Sequence, residues 1–262
     1  MPDALADFTA SDFTFEGVTH AVYRSGEGPC VLVLAEIPGI TPRVADFARR
    51  LVSIGCSVAL PSLFGTPGKD PSNGYSLASV VKGCVSKEFV VFARGRTSPV
   101  TDWLRALART EHERCGGPGV GVVGMCFTGG FALGMLAEPA VLAPVLSQPS
   151  LPIGTRKARR DLGISDADLA AGRERVEADD ICVLGLRFTG DKMSPPERFE
   201  RLRAEFGENF VGVEIDSSPD NVHHIRKLAH SVLTEDLVDE PGHPTQDALE
   251  AVLDLFRTRL LS

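Results

Sequence analysis

The chain alternates between short runs of continuous apolar residues and longer stretches whose apolar positions recur at helical spacing. Runs rich in Val, Leu and Ile predict strands at "CVLVLAE" (30–36), "CSVALP" (56–61), "GVGVVGM" (119–125), "AVLAPVL" (140–146), "ICVLGLRF" (181–188) and "FVGVEID" (210–216). Because these runs are apolar throughout, they predict strands covered on both faces. Helical periods fill the gaps at "PRVADFARRLVSIG" (42–55), opened by Pro42 and closed by Gly55, and at "SPVTDWLRALARTEHER" (98–114), with Ser98 as N-cap. "SDADLAAGRERVEA" (165–178) and "SPPERFERLRAEF" (194–206) read as further helices, the second capped by Ser194. A last helix over 245–260 places Ala248, Val252, Leu255 and Phe256 on one face.

Strands alternating with helices predict an α/β fold with a mostly parallel central sheet and helices on both faces. No composition break divides residues 1–262, so one domain is expected. The segments 62–97 and 147–180 fit no strand-helix unit cleanly and are expected to lie over the sheet as a cap or lid. Residues 115–137 carry no charged side chain, but glycines and Pro118 interrupt them, so they read as strand, turn and helix rather than as a membrane span.

Charge narrows the partners. A net charge of −8 argues against binding a phosphate backbone, and the single basic run, "RKARR" (156–160), reads as a solvated face. The aspartates of "MPDALADFTASDF" occupy the place where a signal peptide needs basic residues, which favours a cytoplasmic protein. The six cysteines (Cys30, Cys56, Cys84, Cys115, Cys126 and Cys182) show neither CxxC spacing nor a Cys/His quartet, so no metal is expected, and most read as buried small residues in a reduced compartment.

Cys126 differs from the rest. In "VVGMCFTGGFAL" it follows a strand, precedes a helix and is flanked by Gly124, Gly129 and Gly130, the pattern of a sharp turn that lifts a nucleophile above the sheet. Unpaired N–H groups at the helix start would favour a thiolate there. In such folds an acid and then a histidine follow the nucleophile in chain order. Asp191 in "FTGDKMSP" leaves the carboxyl end of a strand, where Gly190 makes the turn. Four histidines precede the last helix: His223, His224, His230 and His243. His243 adjoins that helix and reads as a helix-start residue, His223 and His224 are neighbours of which one could face the site, and His230 has room on both sides to loop over the sheet.

"GMCFTGG", "FTGDKMSP", "AHSVL" and "AEIPGI" together resemble the dienelactone hydrolase family of α/β-hydrolases, from about residue 30 to the C-terminus. The resemblance implies the α/β-hydrolase fold and hydrolysis of a small-molecule ester or lactone, with Cys126 as nucleophile, His230 as base and then acid, and Asp191 orienting the imidazole. It further implies that Ile37 and Phe127 supply the two oxyanion-hole N–H groups and that Glu36 acts on the thiol when substrate arrives. No cofactor is implied. Two departures stand out. Thr128 replaces the second glycine of the usual elbow, and the residues after His230, "SVLTED", contain no arginine to grip a substrate carboxylate, leaving Arg94 and Arg96 as loose candidates. Rival readings are a thioesterase or acyltransferase, and a non-catalytic relative that keeps its cysteine for packing or redox sensing; no second cysteine lies within the motif to resolve an oxidised thiol.

Overall fold

A computed structural model describes residues 4–71, 99–151 and 159–262. Ser98, Arg94, Arg96, Cys84, most of the 62–97 segment and part of the 147–180 segment and of the "RKARR" run lie outside the described residues. The strands are β1 (Thr9–Phe15), β2 (Val18–Ser25), β3 (Cys30–Leu34), β4 (Ser57–Pro61), β5 (Val120–Met125), β6 (Val141–Ser147), β7 (Val183–Phe188) and β8 (Phe210–Ile215). They form one sheet in the order β1-β2-β4-β3-β5-β6-β7-β8. The pairs β1/β2 and β2/β4 are antiparallel; every other pair is parallel.

Six α-helices among the described residues flank the sheet: α1 (Pro42–Ser53), α2 (Pro99–Cys115), α3 (Gly129–Gly134), α4 (Asp166–Ala178), α5 (Pro196–Phe206) and α6 (Pro244–Phe256). Each fully apolar strand divides its side chains between two cores. Leu32 and Leu34 of β3 pack with Trp103, Leu107, Phe131 and Phe199, the side of α2, α3 and α5. Val31 and Val33 pack with Phe47, Leu51, Leu249 and Phe256, the side of α1 and α6. Burying one such side chain contributes about 1.5–3 kcal/mol, so a two-faced sheet draws stability from every strand position. No helix among the described residues is long and apolar enough to cross a membrane.

Side chains cap α1 and α4, but not α5. The Thr41 hydroxyl accepts from the Val44 N–H at 3.3 Å to open α1, and the Ser165 hydroxyl accepts from the Asp168 N–H at 3.0 Å to open α4. Ser194 does not cap α5 as expected. Pro195 holds the N-cap position, while Ser194 is fully buried and its hydroxyl has no hydrogen-bond partner. The Ser194 carbonyl instead accepts from Arg187 Nε at 2.8 Å, and that contact turns the residue inward. The buried face of α6 is Ala248, Leu249, Val252, Leu253 and Phe256, rotated toward Leu249 and Leu253 from the expected stripe, with Leu255 only partly buried.

Two regions depart from the sequence reading. The hairpin β1/β2, turned at Glu16 and Gly17, was not expected, because β1 is mostly exposed and carries no apolar run. β8 forms the edge of the sheet and is covered less fully than expected: Phe210 and Ile215 each reach one of the two cores, while Val211 is 46% exposed.

Candidate active site

Parallel strands deliver their carboxyl ends to one rim, and the residues leaving β3, β5, β6 and β7 there come together. β5 ends at Met125, and Cys126 turns the chain with φ of +55°, a left-handed conformation that a side-chain-bearing residue adopts only where its surroundings enforce it. The enforcement is local. A Cβ on Gly124 would lie 2.4 Å from the Thr128 carbonyl oxygen and 2.7 Å from the Ala132 Cβ, so only glycine lets the strand pass this close to the helix that follows it. Thr128, in place of the usual glycine, braces the turn: its hydroxyl accepts from the Met125 N–H at 2.8 Å and reaches the Leu34 carbonyl at 2.7 Å. The half-buried thiol therefore stands on a pinned, strained turn between β5 and α3.

Asp191 follows β7 and is 5% exposed. Its Oδ1 accepts from the Met193 N–H at 2.9 Å and its Oδ2 lies 2.7 Å from His230 Nδ1. A Cβ on Gly190 would meet the Lys227 carbonyl at 2.7 Å, so glycine there admits the loop that carries the histidine. That loop is further held by Asp236, whose Oδ2 accepts from the N–H groups of His230 and Ser231 at 2.8 and 3.1 Å while Arg226 pairs with the same carboxylate.

With Nδ1 committed to Asp191, Nε2 of His230 is left to the cysteine side. It is buried and makes no hydrogen bond of ordinary geometry, and the neighbour acting on it is the Cys126 sulfur. Burial opposes the charged imidazole, yet the charge of Cys126, the hydrogen bond to Asp191 and the proximity of the sulfur together hold His230 well above its ordinary value.

The other histidines fall elsewhere. His243 is the N-cap of α6, its Nδ1 accepting from the Thr245 N–H at 3.3 Å. His223 and His224 are exposed, and His223 stacks edge-on against His243 with ring centroids 5.2 Å apart.

Glu36 reaches the same rim, where its hydrogen bonds go to groups other than the thiol. Its buried carboxylate accepts from Ser231 Oγ at 2.7 Å, from Gln148 Nε2 at 3.3 Å and from the Thr234 hydroxyl, and it makes no hydrogen bond to Cys126. Three neutral donors thus carry a buried charge that would otherwise be costly. Gln148, fully buried just past β6 with φ of +36°, also accepts from the Val232 N–H at 3.3 Å. The network ties β3, β6 and the histidine loop into one unit. Ile37 follows Glu36 in a cis peptide with Pro38, and Phe127 follows Cys126; both are half-buried. Phe127 packs between Phe64 and Phe131, at centroid distances of 6.3 and 5.4 Å.

Gln148, Ser231, Thr234, Asp236 and Arg198 were missed by sequence reasoning. Gln148 alone had a legible signal, as a polar residue directly after a buried strand. Arg198 on α5 is buried and donates to the carbonyls of Pro149 at 2.7 Å, Met193 at 3.0 Å and Asp161 at 2.8 Å. Burial brings its pKa down to about 10 against the opposing charges of Asp161, Asp191 and Cys126. It fastens the loops beneath the acid and the cysteine.

A mostly parallel sheet in this order, with a cysteine on a strand-to-helix turn and an acid and a histidine beyond later strands, defines an α/β-hydrolase fold. The profile of the dienelactone hydrolase family matches residues 15–260, and the chain belongs to that family. Membership supports a hydrolase acting on a small molecule. Among solved structures, the dienelactone hydrolase from Anabaena variabilis ATCC 29413 is 16% identical with a TM-score of 0.63, the match covering 97% of this chain and 98% of that one. A dienelactone hydrolase-like promiscuous phosphotriesterase, P91 from metagenomic libraries, is 17% identical with a TM-score of 0.59, over 97% and 100% of the two chains. At such identities these likenesses show the fold alone. A search of curated proteins found no match.

Proposed function

We propose that the protein hydrolyses small-molecule carboxylic esters or lactones through a thioester on Cys126, with His230 and Asp191 as its proton relay. The observation that carries this reading is the pairing of Asp191 with His230 at 2.7 Å beside a cysteine held at positive φ. Cys126 attacks the carbonyl as thiolate, and the N–H groups of Ile37 and Phe127 hold the oxyanion. The His230 imidazolium gives its proton to the leaving oxygen.

Acylation then changes the base. Once Cys126 is a neutral thioester, its charge no longer raises His230, and burial is opposed by Asp191 alone, so the imidazole gives up its proton more readily than before acylation. The neutral imidazole takes a proton from water, hydroxide attacks the thioester, and the second product leaves with the thiolate and imidazolium restored. The Glu36 network acts by positioning the loop that carries His230.

The test is turnover of p-nitrophenyl acetate with intact-mass detection of an acetyl adduct. The reading expects a burst, an adduct on the Cys126 peptide and loss of turnover on alkylation of that thiol. Unchanged turnover in a Cys126→Ala protein would overturn it.

A further inference from the structure

A pair of sulfurs lies at the opposite rim of the sheet from Cys126. Cys30 is the first residue of β3 and Cys115 the last of α2; they are far apart along the chain and brought together by the fold. The sulfurs of Cys30 and Cys115 and a carboxylate oxygen of Glu111 lie within 4.8 Å of one another. Both thiols are reduced, Cys30 is fully buried and Cys115 is half-exposed. The Ser57 hydroxyl, from the start of β4, stands 3.1 Å from the Cys115 sulfur.

Glu111 argues against a metal there. Arg24 bonds its Oε1 through Nε at 2.8 Å and Nη2 at 2.7 Å, and Arg114 bonds its Oε2 through Nε at 2.8 Å and Nη2 at 2.7 Å. Two guanidinium forks occupy the lone pairs that a cation would need. What remains is one accessible thiol backed by one inaccessible thiol, the arrangement of an attacking sulfur and a resolving sulfur.

We propose that Cys30 and Cys115 form a reversible redox site, in which a hydroperoxide oxidises Cys115 and Cys30 resolves it to a disulfide. The Cys115 thiolate attacks the peroxide O–O bond, sulfur is oxidised to a sulfenic acid, and the leaving oxygen departs as water or alcohol after protonation. The Cys30 sulfur then displaces the hydroxyl from Cys115, the S–S bond forms, and the Cys30 thiol proton leaves with the hydroxide as water. For hydrogen peroxide, two thiols and one peroxide give one disulfide and two waters. A low-molecular-weight dithiol restores the pair. The surroundings favour the first step: a hydrogen bond from Cys30, opposed by burial and helped by Ser57 and the Arg114 charge, draws the Cys115 thiol down to about 6, while the Cys30 thiol is held well above the ordinary range. The inner thiol keeps its proton until the sulfenic acid forms.

This proposal is independent of the hydrolase reading, because Cys126, after the carboxyl end of β5, lies at the opposite rim of the sheet from Cys30 at the start of β3. The reduced full-length protein is treated with hydrogen peroxide, blocked with N-ethylmaleimide, and digested without reductant. The expected result is a Cys30–Cys115 linked peptide that disappears with dithiothreitol. A Cys30→Ser protein should instead accumulate a dimedone adduct on Cys115, and a Cys115→Ser protein should keep Cys30 as free thiol. Two results would overturn the proposal: a dimedone adduct on Cys115 of the parent protein with no linked peptide, or both thiols fully blocked by maleimide after Cys126 has been oxidised. Dialysis against Zn²⁺ supplies a further arm. Stoichiometric binding that protects both thiols and is lost in Cys115→Ser would make the cluster a metal site instead.

Discussion

At the carboxyl rim of the sheet, Cys126 sits on a turn at φ of +55°, held there by Thr128 and Gly124. At the amino rim, Cys115 ends the regular helix α2 and is backed by Cys30. Both sulfurs are half-exposed and both have hydrogen-bonding neighbours. One faces an imidazole fixed by a carboxylate; the other faces a second thiol beside a carboxylate that two arginines already hold. A thiol next to a proton relay is suited to acyl chemistry, and a thiol next to another thiol is suited to redox chemistry. What a cysteine can do depends on the group across from it more than on its own exposure.

Substituting the two sulfurs separates the rims most sharply. Cys126→Ala should lower ester turnover by about 10⁴-fold or more, as loss of a nucleophile does in comparable relays, whereas Cys115→Ser should leave it within about a factor of two. Steady-state rates on p-nitrophenyl acetate check both, and comparable losses in the two proteins would erase the distinction. Next in size is the relay: Asp191→Asn, which keeps the shape but disturbs the imidazole tautomer, should cost about 10²- to 10⁴-fold. His243→Ala should turn over ester like the parent, since His243 is an N-cap; a large loss there would shift the base away from His230.

The brace under the elbow comes third. Thr128→Val strands the buried Met125 N–H and should destabilise the protein by about 1–3 kcal/mol in urea unfolding, with turnover falling as the turn relaxes. The smallest effect concerns pH. Burial and the neighbouring His223 lower the His243 pKa, so the folded state binds its proton less readily than the unfolded state. The stability linked to this group is present above the ordinary imidazole value and is lost as pH falls through the folded value. Acidification from pH 7 toward 5 should therefore weaken the parent slightly more than His243→Asn, measured as a difference in thermal midpoints.

Much of the architecture was legible because parallel strands buried on both faces must be apolar throughout. That rule located β3 to β7 within one or two residues and turned the uncharged 115–137 stretch into β5, a turn and α3. It failed at the margins. The hairpin β1/β2 faces solvent and carries little of the signal, β8 was located but is less fully covered at the sheet edge than its apolar run suggested, and Ser194 looked like a cap until Arg187 drew its carbonyl inward.

For the candidate site, chain order and turn chemistry singled out Cys126, Asp191 and His230, and the fold brings all three to one rim. The supports were not legible. Gln148, Ser231 and Thr234 hold Glu36 through contacts that span up to 198 positions of sequence, and no local pattern marks a hydroxyl as the partner of a distant carboxylate. The same holds for Cys30 and Cys115, which read separately as small buried residues.

The sequence by itself determined which segments became strands and helices and where a reactive thiol could stand, because hydrophobic period and turn residues act over a few neighbours. Only the tertiary structure decided which polar groups met across the sheet. Those meetings depend on strand order and on how loops pack over the rims, properties of the whole chain rather than of any window within it.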